Sequence, residues 1–164
     1  MGRAVLRNLY GEKRVERTQQ EVNAILDSHE RFVAYRGGKR AQLGLTTLSD
    51  FTFANRNLKE ADFAGAALIG ASFYGSNLEH ASFYCADLQQ SDLRKTNMQF
   101  ADLRGASLKG ADLSHANLDN ADLRAAMMMF ITPDGKCSIL DLKAGSGPQG
   151  VDFSNCSLKK VTFG

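Results

Sequence analysis

Ala101-Asp102-Leu103-Arg104-Gly105-Ala106-Ser107-Leu108-Lys109-Gly110-Ala111-Asp112-Leu113 returns to one signature, small then polar then large, every five residues. Followed outward in both directions, the register holds without a gap from Leu43 to Leu123. Its 17 large positions carry 12 Leu, the quartet Phe53, Phe63, Phe73 and Phe83, and Met98. Two residues earlier, 15 of the 17 positions are Ala, Ser or Thr, and one residue earlier 15 are Asp, Asn, Ser or Thr. A period of five suits no straight element. An α-helix scatters residues spaced by five around its axis, and a strand sends successive ones to opposite faces. The chain must turn in each unit, and four units that close a square make a solenoid. The asparagines agree, since Asn57, Asn77, Asn97 and Asn117 recur every 20 residues and would stack in a column of hydrogen-bonded amides. Phe53 then lies under Phe73, and Phe63 under Phe83, on opposite walls.

The interior of such a coil is narrow, so each side points one large and one small residue inward. Backbone groups pair from coil to coil at sheet spacing. The run resembles the pentapeptide-repeat family, whose units read Ala-Asp/Asn-Leu-X-X. The resemblance covers residues 41–128 and resumes at 151–163, as Val151-Asp152-Phe153, Cys156-Ser157-Leu158 and Val161-Thr162-Phe163. It implies an all-β fold, a right-handed quadrilateral parallel β-helix, and little chemistry. Phe51 and Arg56 break the small position in the first coil, which points to an irregular or covered end.

The preceding segment is the expected cover. Thr18-Gln19-Gln20-Glu21 is a capping-box pattern, and Val22, Ile25, Leu26, Phe32 and Val33 follow at helical spacing until Gly37 and Gly38. Arg56 near that end has Asp27 and Glu30 as expected partners. His29 beside the apolar stripe reads as a packing residue, since no second metal ligand stands near it in sequence. The expected organisation is an arm and capping helix over 1–40, the β-helix over 41–128, an insertion loop over 129–150 and a final coil over 151–164. In the insertion, Pro133-Asp134-Gly135 marks a turn, and Ile139, Leu140 and Leu142 are expected to fold back over the apolar cluster of Met127, Met129, Phe130 and Ile131, set against the alternative of an exposed partner site. The final coil has no capping helix behind it in this sequence, an arrangement that invites a homodimer or signals a longer natural chain.

Motifs that suggest chemistry have ordinary explanations here. Gly145-Ser146-Gly147-Pro148-Gln149-Gly150 spells a dinucleotide fingerprint, but Pro148 and a strand-like segment stand where the helix should begin. Asn155-Cys156-Ser157 is a glycosylation sequon inside a coil. Asp62, Asp87, Asp92, Asp102, Asp112 and Asp122 sit at the repeat's polar position, where short side chains hydrogen-bond local backbone. His80 and His115 take free positions outside any metal pattern, and Cys85 has no histidine beside it. No catalytic, cofactor-binding or metal site is expected, and no small-molecule substrate.

The chain has 164 residues, 43% of them apolar, and a net charge of +2. No apolar run approaches the ~18 residues of a membrane span, and the charge is too small to suggest direct nucleic-acid binding. Three cysteines without a CxxC pair suit reduced thiols, and the absence of a secretory stretch places the chain in the cytoplasm. Some pentapeptide-repeat proteins are thought to mimic duplex DNA and occupy DNA gyrase, which gives the alternative reading of a topoisomerase-binding mimic. Residues 45–128 hold 7 basic and 10 acidic side chains, far less acidity than duplex DNA, which carries one charge per about 1.7 Å. The favoured reading is a non-catalytic scaffold that displays rigid faces to a protein partner. Tyr74, Tyr84 and Phe100, at free positions, are its expected binding surface. Arg3, Arg7, Lys13, Arg14 and Arg17 form an expected docking arm, set against the plainer reading of a solvated N-terminus.

Overall fold

The turn demanded by the five-residue period is made alike in unit after unit. In the computed structural model, which describes residues 14–124, 130–131, 137–138 and 151–163, a backbone N–H closes most turns onto the preceding large residue. Ala61 donates to the Leu58 carbonyl at 3.0 Å, and Ala81 to that of Leu78 at 3.0 Å. The residue just before that donor is left-handed, as at Glu60 (φ 65°), His80 (φ 57°), Phe100 (φ 58°) and Asn120 (φ 63°). Glycine stands at five of these places, and at Gly70 a β-carbon would come within 2.4 Å of Asp50 Oδ1. The second free position is therefore conformationally constrained.

Two turn residues out of five leave one ladder residue per side. The walls are accordingly single-residue parallel bridges between coils rather than long strands. The first side runs Gln42, Asp62, Ser82, Asp102, Asp122, and the second Thr47, Ala67, Asp87, Ser107. The third runs Thr52, Ser72, Asp92, Asp112, and the fourth Asn57, Asn77, Asn97, Asn117. Short strands occur only at the margins of the described residues: β1 (Val15–Glu16), β2 (Thr46–Thr47), β3 (Phe130–Ile131) and β4 (Cys137–Ser138).

All 17 large positions of the repeat are fully buried. Phe53 stacks on Phe73 at 4.7 Å and Phe63 on Phe83 at 5.1 Å, and the two columns meet edge to face at 5.5–5.6 Å. Both geometries favour the ring quadrupoles. The amide column forms over its first three members, with Asn77 Nδ2 donating to Asn57 Oδ1 at 3.3 Å and Asn97 Nδ2 to Asn77 Oδ1 at 3.1 Å, while Asn117 joins by its backbone bridge to Asn97.

Helix α1 (Gln19–Val33) starts at Thr18 with the expected capping box. It stops sooner than Gly37 would require. Ala34 caps it, Tyr35 follows at φ 54°, and Arg36 N donates to the Arg31 carbonyl at 2.8 Å, a Schellman closure. Val22 and Leu26 are fully buried in one cluster with Leu43, Leu48, Phe53 and Leu58.

Each side of the first coil meets a different partner below it. On the first side, Ala41 N donates to His29 Nδ1 at 3.0 Å. On the second, β1 pairs in parallel with β2. On the third, the Gln19 amide both accepts from Thr52 N at 2.9 Å and donates to its carbonyl at 3.2 Å. On the fourth, Glu30 Oε1 accepts from Asn57 N at 3.1 Å. Arg56 ties the helix down through Asp27 at 2.6 Å and Glu30 at 2.8 Å.

At the far end, Asp152, Ser157 and Thr162 bridge to Asp112, Asn117 and Asp122, a step of 40 residues instead of 20. The intervening segment thus adds one coil's worth of sequence and leaves the register unchanged. Within it, β3 and β4 pair antiparallel, Phe130 with Ser138 and Ile131 with Cys137. Pro133-Asp134-Gly135, Ile139, Leu140 and Leu142 lie outside the described residues, as do Arg3, Arg7 and Lys13.

Arg56→Ala removes two ion pairs that are only partly solvated, and a loss of about 1 kcal/mol, seen as a lower thermal midpoint, is expected. His29 supplies the second test. Its ring is fully buried, and burial, the largest influence, pushes its pKa below the ordinary value, although the Lys59 backbone and the Glu30 and Glu60 carboxylates act the other way. The unfolded chain therefore binds the proton more readily, and stability falls as pH drops below about 6.5. A protonated Nδ1 also cannot accept from Ala41. Thermal scans between pH 7.5 and 5 should show a declining midpoint in the natural chain and a flatter one in His29→Leu.

Candidate functional site

Outward chemistry is concentrated at the four corners, because the ladder residues between them are engaged locally. Where the polar position is Asp or Asn, Oδ1 accepts from the N–H two residues on: Asp62 from Ala64 at 2.9 Å, Asp112 from Ser114 at 2.9 Å, Asn117 from Asp119 at 3.0 Å. This Asx geometry is a turn device, and its carboxylates hold the backbone.

The corner after the first side carries Tyr84, Arg104 and Arg124 in one column, and the corner after the third carries Tyr74, Arg94 and Lys95. Arg104 lies over the Tyr84 ring at 5.4 Å, and Arg94 and Lys95 over Tyr74 at 5.4 Å each. Each arginine also grips the aspartate two residues before it, Arg94 with Asp92 at 2.8 Å, Arg104 with Asp102 at 2.7 Å and Arg124 with Asp122 at 2.7 Å. The guanidinium hydrogen bonds hold Asp92, Asp102 and Asp122 below the usual carboxylate range. Phe100 belongs to the corner after the fourth side, stacked on His80 at 4.8 Å.

The three aromatic residues expected as one surface therefore occupy three corners. Tyr74 and Tyr84 are ten residues apart, half a coil, on diagonally opposite edges. Phe100 and Tyr84 bracket the first side, and both are about half exposed, whereas Tyr74 is half-buried beneath its cations. Arg14 and Arg17 flank β1, half-buried, with Nε atoms that make no hydrogen bond among the described residues. Val15 in β1, Leu45 at the corner before the second side and Ile69 at the corner after it are exposed apolar residues.

Among the described residues no group of His, Cys, Asp and Glu could hold a metal ion, and no helix is long and apolar enough to cross a membrane. Cys156 is half-buried, with Sγ donating to the Leu113 carbonyl at 2.6 Å, and burial pushes its thiol up to about 11. The thiolate is the reacting species, so alkylation of Cys156 by iodoacetamide at pH 8 should run about 100-fold slower than that of a small free thiol. Mass spectrometry of the labelled peptide checks this.

Comparisons with known proteins follow this geometry. The chain is 25% identical to a pentapeptide repeat protein from the Arabidopsis thaliana thylakoid lumen, with 77% of this chain and 73% of that one covered and a TM-score of 0.49. It is 29% identical to the pentapeptide repeat protein Rfr23 from the cyanobacterium Cyanothece 51142, covering 65% and 62% at a TM-score of 0.32. It is 18% identical to QnrB1, a plasmid-mediated fluoroquinolone resistance protein, covering 75% and 66% at 0.40. No curated protein matches. The family model for pentapeptide repeats matches in 8 copies over residues 41–83, 57–94, 71–110 and 106–129, more than half of the chain, which therefore belongs to the pentapeptide-repeat family, built as right-handed quadrilateral β-helices.

Proposed function

We propose that this chain is a non-catalytic scaffold that binds a protein partner through the corners of its solenoid, with α1 and β1 serving as the cap of its N-terminal end. The observation that carries the reading is the stacking of outward side chains at coil spacing, with His80 on Phe100 at 4.8 Å and Arg104 over Tyr84 at 5.4 Å. Such side chains are ordered before a partner arrives, so little rotamer entropy is lost on binding. Tyrosine and arginine are also the residue types that dominate interface energetics. The first side, bracketed by Tyr84 and Phe100, is the favoured contact.

Topoisomerase binding by DNA mimicry is the weaker reading. Three of the acidic groups that would stand for phosphates, Asp92, Asp102 and Asp122, are paired with Arg94, Arg104 and Arg124 at 2.7–2.8 Å, so along those columns the surface alternates in charge.

A quantitative pull-down from source-cell lysate tests the reading, comparing the natural chain with a Tyr84→Ser, Phe100→Ser double variant and with Tyr74→Ser. Saturable recovery of one partner, cut at least tenfold in the double variant and unchanged in Tyr74→Ser, is the expected result. Equal recovery by all three chains would remove the first side from consideration. No enrichment, with a dimeric mass by light scattering, would replace the scaffold reading with self-association through the 151–163 coil.

A further inference from the structure

Where α1 hands the chain to the first coil, residues 31–40 read Arg-Phe-Val-Ala-Tyr-Arg-Gly-Gly-Lys-Arg, with four basic side chains and no acidic one. All ten are exposed except Val33, which is half-buried. Arg31, near the helix C-terminus, complements the macrodipole, which is a structural reason for its charge. That reason weakens for Lys39 and Arg40, which lie beyond the helix. Arg40 Nε donates to the Glu60 carbonyl, and among the described residues none of the four cations has an acidic partner.

Tyr35 is the second observation. It stands at φ 54° in the Schellman closure, where glycine is the usual residue, and its side chain is 98% exposed. A left-handed backbone costs a residue with a β-carbon roughly 1–2 kcal/mol, and a side chain this exposed gains almost nothing from folding in return. The fold alone does not account for a tyrosine there. Beside it lies a cavity of about 490 Å³ lined by Phe32, Val33, Tyr35, Gly37, Gly38, Lys59 and Glu60. Phe32 is 38% exposed and stacks on the buried His29 ring at 6.1 Å. Gly38 keeps the wall close, since a β-carbon there would meet the Ser28 carbonyl at 2.1 Å.

We infer that this junction binds an acidic peptide segment bearing one bulky apolar side chain. The apolar side chain enters the cavity against Phe32 and Val33, Tyr35 closes over it, and the flanking carboxylates meet Arg31, Arg36, Lys39 and Arg40. Charge complementarity selects the acidic flanks. The cavity itself selects against a continuous polyanion, because Glu60 forms part of its wall and Lys59 is already paired with Glu79 at 3.2 Å. The site lies at the helical end of the rod and goes beyond the corner-binding reading, so either can fail without the other.

Fluorescence anisotropy on the full chain tests it. The probe is a labelled peptide of about a dozen Asp and Glu residues with one central Leu. The controls are the same peptide with Ser for Leu, one with Lys for the acids, and a single-stranded oligonucleotide of equal charge. Saturable binding of the Leu peptide is expected, weakened about tenfold by the Ser replacement and lost with the Lys peptide. Tyr35→Gly should weaken it at least tenfold while the thermal midpoint stays equal or rises, which separates a binding role from a folding one. Arg36→Ser with Lys39→Ser should weaken it similarly and flatten its salt dependence. No binding of the Leu peptide, unchanged affinity in Tyr35→Gly, or equal affinity for the oligonucleotide would overturn the inference.

Discussion

Everything in this molecule depends on one requirement: each coil must satisfy the backbone groups of the next within a side only one ladder residue wide. That width follows from the turn, which consumes two residues of every five and places one in the left-handed region. The inward geometry then leaves room for a single large side chain and a single small one per side. Leucine, phenylalanine and alanine fill the core for that reason, and the Asx hydrogen bonds of Asp62, Asp112 and Asn117 hold the corners. Outside the first coil, local choice and global fold agree from unit to unit, which is the condition for a sequence to specify one structure.

The same requirement explains the otherwise irregular beginning of the rod. A first coil has no coil beneath it, and its downward backbone groups would be left unpaired at a sheet edge. Four unlike devices meet them, the His29 imidazole, strand β1, the Gln19 amide and the Glu30 carboxylate. Three of these belong to one helix, whose Val22 and Leu26 are buried in the same core cluster. The departures at Phe51 and Arg56 belong here too. Phe51 packs partly buried on the same core, and Arg56 clamps two carboxylates of α1.

Much of this was legible in the sequence because it is periodic. The coil length, the Asn column, the Phe columns and the Arg56 partners all follow from spacing, and each is present. What spacing could not give is chemistry that depends on a single orientation. His29 reads as a packing residue, and it packs, yet its Nδ1 is also the acceptor for Ala41. Gln19 reads as an ordinary first-turn residue, and its hydrogen bonds to Thr52 cross 33 positions. The helix end was placed by Gly37 and Gly38, while the backbone closes earlier through Tyr35, a residue that propensity would not put there. The constraint at the second free position was visible, since Gly65, Gly70, Gly75, Gly105 and Gly110 all fall on it.

The candidate surface shows the same division. Outward placement of Tyr84 and Phe100 follows from register, and so does the separation of Tyr74 from Tyr84, since ten residues are half a coil. The electrostatic character does not follow from counting charges. Residues 45–128 carry a small acidic excess, but Arg94, Arg104 and Arg124 each stand two positions after an aspartate, and in this fold two positions along the chain is hydrogen-bonding distance. At Asp92, Asp102 and Asp122 the acidity is locally neutralised in space. A partner of the proposed kind would meet an ordered pattern of aromatic rings and paired charges, and specificity on such a surface would come from matching that alternation rather than from net charge.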